Sequence, residues 1–267
     1  MIQPALQLFR HRGLLATLTV RDLKARYRGS VLGFFWSLVN PLLLLAVYSF
    51  VFGYVFQRPI GGEIEPYALF LITGLFPWIW VSGSLLEGTL SLLSNSGMLR
   101  KAVFPVEILP MVAVLSNLVH FLLAIPILLA ALAIGTAMGH QLGGWSMLLA
   151  PVVILLQLPM VSGLVLALAA LNVHFKDVRD LLNNLLTLLF FLAPILYPLS
   201  AVPVPALQWL IRLNPFTSYT LAYQQTLFAG TFPSLGLWAQ MGLTTAICWI
   251  AGCWLFDRLR ETLVEAV

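Results

Sequence analysis

Residues 109–138 read LPMVAVLSNLVHFLLAIPILLAALAIGTAM, an apolar run without one Asp, Glu, Lys or Arg and with His120 as its single ionisable side chain. A bilayer core about 30 Å thick is crossed by roughly 20 apolar residues in a helix, since in hydrocarbon the backbone must satisfy its own hydrogen bonds. The run exceeds that requirement. Five more stretches qualify, 31–56, 67–90, 145–171, 181–199 and 235–256, so the expected fold is all-α and integral to the membrane, with six transmembrane helices. Composition agrees: of 267 residues, 60% are hydrophobic and 9% charged, against about 25% charged in a soluble domain.

An even number of spans puts both termini on one side, and the charges say which. Of 14 Lys and Arg residues, 12 fall on one face of the threaded chain: Arg10, Arg12, Arg21, Lys24, Arg26 and Arg28 in the N-terminal arm, Arg100 and Lys101 after span two, Lys176 and Arg179 after span four, and Arg258 and Arg260 in the tail. Arg58 and Arg212 fall on the other. Lys and Arg are retained in the cytoplasm, so both termini are expected there. The chain then divides into a cytoplasmic arm with an amphipathic interface helix (1–30), a six-span domain (31–256) and a cytoplasmic tail (257–267). The net charge of +4 is a topology and lipid-headgroup signal, and nucleic acid is not an expected partner. Cys248 and Cys253 sit in an apolar span as small apolar residues.

Two segments are irregular. In the arm, Ala16, Val20, Leu23 and Tyr27 recur at helical spacing beside a basic stripe of Arg21, Lys24 and Arg28. Such a helix lies at the cytoplasmic headgroup layer, either as an anchor or as a platform for a cytoplasmic partner. Between spans five and six, a Pro-rich stretch holds 206–213, an Asn214-Pro215 break and then 218–228. Both pieces are too short to span and are expected as interfacial or re-entrant helices at the outer surface.

The chain offers no chemistry of its own. Its three lysines, Lys24, Lys101 and Lys176, do not follow the glycine pattern of a P-loop. Glu87 and Glu107 read as lying near the cytoplasmic boundary, away from the midplane where ion-coupled carriers place carboxylates. His-Glu-x-x-His and Ser-elbow motifs are missing, and Arg179 stands where a His-x-x-x-x-Asp pair starting at His174 would need its carboxylate. A transport subunit is expected, without catalytic residues, bound metal or cofactor. For His120 the expected role is an interhelical hydrogen bond with a neighbour such as Asn117. Six spans are few for one conduit, which points to a two-fold dimer.

The run Arg21-Asp22-Leu23-Lys24-Ala25-Arg26-Tyr27-Arg28 leading into Val31-Leu32-Gly33-Phe34-Phe35-Trp36-Ser37-Leu38-Val39-Asn40-Pro41 resembles the start of the membrane subunit of ABC-type polysaccharide exporters. So do Gly74-Leu75-Phe76-Pro77-Trp78, the block from Leu171 to Asp180, Ala193-Pro194-Ile195-Leu196-Tyr197-Pro198 and Leu213-Asn214-Pro215-Phe216. Within that family the pattern is most similar to O-antigen exporters, with capsule and teichoic acid exporters as close relatives. The resemblance implies a homodimer paired with two copies of a separate subunit that holds ATP and Mg. The implied substrate is a polysaccharide linked to undecaprenyl diphosphate, moved across the bacterial inner membrane. It implies ATPase coupling through the loop after span two, with Met98, Leu99, Arg100 and Lys101, and through the arm at Arg21, Lys24 and Arg28. Alternatives are an ABC permease for a small molecule or a membrane-embedded polyprenyl-lipid transferase.

A conduit for sugars needs water and aromatic rings that bind weakly and repeatedly. Span one supplies Tyr48, Phe52 and Tyr54, and span five Phe190, Phe191 and Tyr197. Tyr48, Phe52 and Tyr54 read equally as channel lining or as a lipid-facing belt, and Trp36, Trp78, Trp80 and Trp209 as belt. Asn40-Pro41 interrupts the hydrogen-bond ladder of span one, where a kink is expected.

Overall fold

The computed structural model describes residues 3–30, 33–51, 55, 64–99 and 105–266, of which the side chains of residues 3–5, 34, 37, 38, 40, 261 and 264–266 are not described. Elements run α1 (Gln3–Arg10), α2 (Arg12–Arg26), α3 (Trp36–Phe50), α4 (Tyr67–Ser94), α5 (Ser96–Leu99), α6 (Ile108–Ala137), α7 (Ala150–His174), α8 (Val178–Leu192), α9 (Pro205–Leu213), α10 (Thr217–Tyr223) and α11 (Leu235–Ala266). Among the described residues every regular element is helical.

Among the described residues, four helical segments are long and apolar enough to cross a membrane: Tyr67–Ser94, Ile108–Ala137, Trp145–His174 and Leu235–Arg260. Inside the expected spans one and five, α3 and α8 have 15 residues each, about 22 Å at 1.5 Å per residue. Helix α8 stops where Ala193 turns into extended backbone before Pro194, the conformation that a following proline imposes. Pro41, Pro77, Pro126 and Pro159 lie within α3, α4, α6 and α7. Neighbouring helices can re-satisfy the freed carbonyls, which is why membrane helices tolerate such prolines.

Helix α4 is the central pillar, packed against α3, α6, α7, α8 and α10. Trp78 and Trp80 are therefore core residues and no belt. Trp80 is 1% exposed, stacks on Phe121 at 5.4 Å and directs its Nε1 at the Val114 carbonyl, 3.4 Å away. Their place in the middle of a 28-residue helix accounts for the difference, since belts form at helix ends. Trp36 and Trp209 are exposed.

Among the described residues, α7 and α11 pack along each other extensively. A Cβ placed on Gly252 would stand 2.0 Å from the Gly163 carbonyl oxygen, and one on Gly163 would stand 2.3 Å from the Cys248 carbonyl oxygen. Two facing glycines thus let the backbones touch, a packing that gains dispersion energy where lipid offers no hydrophobic drive. Beside this crossing Cys253 is buried, and both cysteines are free.

The two short helices before α11 differ. Helix α9 leaves Leu207, Trp209, Leu210 and Leu213 exposed and buries Ile211. Asn214 ends it, its Oδ1 accepting from the Phe216 amide at 3.0 Å. Helix α10 continues into a π-helical stretch, Gln224–Phe228, and is almost wholly buried. The Tyr219 hydroxyl sits 3.2 Å from the carbonyl oxygens of Leu156 on α7 and Met241 on α11 and also meets the Thr245 hydroxyl. The Tyr223 hydroxyl donates to Gln157 Oε1 at 2.7 Å. Hydroxyls at one-turn intervals thereby bolt a short helix into an apolar bundle.

Candidate functional site

The arm and the bundle meet through an apolar seam and a cluster of polar side chains. Helix α2 lays Leu15 and Leu18 on Ile108 and Val112 of α6 and buries Thr19, next in sequence to Leu18, a face adjacent to the Ala16–Val20–Leu23–Tyr27 stripe, of which Ala16 and Val20 remain exposed. This seating brings the end of α2 over α4 and α6. Arg26 Nη1 donates to Glu87 Oε1 at 2.7 Å, and its Nη2 to Glu87 Oε2. Its Nε donates to Asp22 Oδ2 at 2.9 Å, one turn back on α2. The fork of a guanidinium matches a carboxylate in two-point geometry, which makes such pairs directional as well as strong. Burial disfavours the Arg26 charge, yet Glu87 and then Asp22 outweigh it and raise its pKa above the ordinary guanidinium value. Arg26 therefore stays charged at every physiological pH.

Helix α6 completes the junction. Asn117 Nδ2 donates to Glu87 Oε2 and to the Ala113 carbonyl oxygen, the latter at 2.9 Å. Three residues on, His120 Nε2 lies 2.7 Å from the Tyr27 hydroxyl, the two rings edge to face. The expected interhelical bond of His120 is present, but its partner is Tyr27 and not Asn117, which lies on the same helix as His120 and is bonded to Glu87. A cavity of about 240 Å³ adjoins these groups, and Trp36 and Pro41 of α3 complete its wall with Arg26, Tyr27, Asn117 and His120. Pro41 is buried within a helix that runs through it, and the Asn40 side chain is outside the described residues.

Arg21, Lys24 and Arg28 are exposed on the arm, while Arg26 turns inward. Met98 and Leu99 form the last turn of α5 and pack on the bundle core. Arg100 and Lys101 lie outside the described residues. At the other edge of that loop Glu107 has no exposure, and its nearest cation is Arg260 Nη2 of α11 at 3.7 Å. The start of α6 is thereby tied to the tail.

Of the aromatic candidates, Phe52 and Tyr54 lie outside the described residues. The structure brings Tyr48 of α3 to Phe190 of α8 at 5.6 Å. Phe190 continues to Trp78 at 5.8 Å, and Trp78 to Phe216 at 5.5 Å. Phe190 thus faces inward, whereas Phe191 is 54% exposed, with its carbonyl oxygen accepting from the Tyr197 hydroxyl at 3.0 Å. The pairing of Arg26 with Glu87 escaped the sequence reading. Its signal was there: Glu87 is the one charge in the whole of α4, and a carboxylate inside an apolar helix needs a partner.

Residues 13–228 match the family model of the ABC-2 type transporter. The O-antigen export system permease protein RfbA of Myxococcus xanthus is 38% identical over the full length of both chains. The protein of the same name from Klebsiella pneumoniae is 31% identical over 94% of each chain, and the polysialic acid transport protein KpsM of Escherichia coli 23% identical over 70% of each. With most of its length matched by the family and its whole length by one such permease, the chain belongs to the ABC-2 type transporter family.

Proposed function

We propose that this chain is the permease subunit of an ATP-driven exporter that moves O-antigen, linked to undecaprenyl diphosphate, from the cytoplasmic to the outer face of the bacterial inner membrane. The observation that carries this reading is the end-to-end similarity to an O-antigen export permease. Likeness to a polysialic acid transporter is weaker and shorter, which ranks capsule export second. Two copies of the chain form the conduit, and two copies of a separate subunit bind ATP and Mg.

The arm supports a division of labour. Arg26 grips Glu87 inside the protein, whereas Arg21, Lys24 and Arg28 point away from it and are available to an acidic surface of the ATPase. Movement of the arm reaches α4 and α6 through Glu87 and Asn117, and the Pro41 region of α3 through the shared cavity. Met98, Leu99, Arg100 and Lys101 form the second contact with the ATPase. Tyr48, Phe52, Tyr54, Phe191 and Tyr197 are the lining proposed for the sugar path, with Phe190 holding Tyr48 in place from behind.

Deletion of the gene, followed by gel analysis of lipopolysaccharide, tests the reading. Loss of long-chain polymer from the surface, restored by the wild-type chain, is the expected result. Surface polymer that persists after deletion overturns the proposal, and full rescue by a chain carrying Arg100→Glu and Lys101→Glu overturns the coupling assignment alone.

A further inference from the structure

At the end of the bundle opposite Arg26, a cavity of about 580 Å³ opens between α9, the π-helical stretch after α10 and the first turns of α11. Six of its eleven lining residues are polar: Ser200, Arg212, Gln224, Gln225, Ser234 and Gln240. Nothing in the family match or the junction at the other end employs them. The surface nearby is apolar, with Trp209, Leu213, Phe232 and Leu235 exposed, so a wall of three amides, two hydroxyls and a guanidinium stands apart from it.

The wall is held in shape. Gln224 Nε2 donates to the Pro194 carbonyl oxygen and Gln240 Nε2 to the Arg212 carbonyl oxygen, both at 2.7 Å, and Ser234 Oγ accepts from the Leu237 amide at 3.2 Å. Each of the two glutamine bonds takes one hydrogen of an amide that has two donor hydrogens and an acceptor oxygen. What is left over is a neutral mixture of donors and acceptors. Such a mixture matches the hydroxyls of a sugar ring, each itself donor and acceptor. A lipid phosphate, which only accepts, would be served by cations, and the cavity has one. The π-helical geometry at Gln224 and Gln225 is of the kind that recurs at functional sites, and the volume lies within the roughly 300–1,000 Å³ of small-ligand pockets.

We infer that this cavity is a sugar subsite, in which the amides of Gln224, Gln225 and Gln240 pair with ring hydroxyls of the polymer and Arg212 with an acidic substituent where one is present. The subsite rests on the export reading, which places it at the outer end of the path.

The test uses the purified full chain in nanodiscs and the strain's own polysaccharide freed of lipid by mild acid, with binding followed by saturation-transfer NMR and calorimetry. Gln225→Leu keeps size and removes the amide, and Arg212→Gln removes the charge. Each is expected to weaken binding about fivefold to tenfold, the worth of one or two hydrogen bonds, with elution volume and thermal midpoint unchanged. Equal binding by wild type and variants overturns the subsite. So does displacement of the sugar by phosphatidylglycerol vesicles, which would make the cavity a headgroup site. If wild type binds no polysaccharide while gene deletion still clears polymer from the surface, the subsite falls and the export reading stands.

Discussion

Replacing Arg26 with Met leaves Glu87, the single charge of α4, without its cation. The size of the effect follows from burial. Isolated surface pairs contribute about 0–1 kcal/mol, and removing one partner of a fully buried pair costs about 3–5 kcal/mol. In the chain taken alone, the Arg26 side chain is 24% exposed and that of Glu87 41%, which places the pair between these limits and well below the buried one. Two-point geometry and the third hydrogen bond from Asn117 argue for the middle of the range, a coupling of about 2 kcal/mol, or roughly thirtyfold in the folding equilibrium. Glu87→Gln keeps the shape and the Asn117 contact while removing the charge. A double-mutant cycle of Arg26→Met and Glu87→Gln, read by unfolding of the detergent-solubilised chain, should therefore show the double variant little worse than Arg26→Met alone. In proteoliposomes with the ATPase, Arg26→Met should lower polysaccharide moved per ATP hydrolysed. Single effects that simply add, within about 0.5 kcal/mol, would refute a working ion pair between the arm and α4.

Gly252→Val must push α11 off α7, because its Cβ would lie 2.0 Å from the Gly163 carbonyl oxygen; a loss of about 3 kcal/mol or more and aggregation in fluorescence-detected size exclusion are expected, while Gly242→Ala, whose Cβ meets open space, should elute as wild type. Tyr219→Phe removes a hydroxyl set among two carbonyl oxygens and Thr245 and should cost about 1–2 kcal/mol, seen as a lower thermal midpoint with the elution volume kept. Pro41→Ala restores a backbone donor inside α3 and should reduce surface polymer while cross-linked dimer stays at wild-type levels; unchanged polymer would show that α3 does not need its proline to move.

Helix content was legible because hydrocarbon imposes it: uninterrupted apolar runs such as 109–138 have few conformations open to them. Which face of a helix meets which neighbour was not. Trp78 and Trp80 illustrate why. An indole suits a headgroup layer and a packed core equally well in composition, and the choice depends on where along α4 it falls and on Phe121 and Phe190 arriving from elsewhere in the chain. The same holds for Phe190 and Phe191, adjacent in sequence, the first buried and the second exposed. Arg26 sits among six arm cations that look alike in a charge count, and only the seating of Leu15 and Leu18 on α6 turns it toward Glu87. The break at Asn214-Pro215 was visible because an Asx turn and a proline act locally, whereas the burial of α10 depends on hydroxyl acceptors in α7 and α11.

The two polar sites meet one helix, α4, in its two halves. Glu87 holds the arm, and Gly74, thirteen residues earlier on α4, faces Thr220 and Gln224, where an added Cβ would stand 3.3 Å from Thr220 Cγ2 and 3.6 Å from Gln224 Nε2. Thirteen residues of helix span about 20 Å, so α4, with Pro77 between the two positions, joins Glu87 to Gln224 in the wall of the cavity beside α9 through a single element. Contiguity alone does not establish coupling, which requires two arrangements that both ends bias. Pro41, inside α3 and on the wall of the cavity beside the arm junction, makes α3 the candidate for the moving part, whereas Gly163 and Gly252 bring α7 and α11 into backbone contact. Strokes from the arm are therefore expected to displace α3 relative to α4, with α7 and α11 as the fixed frame.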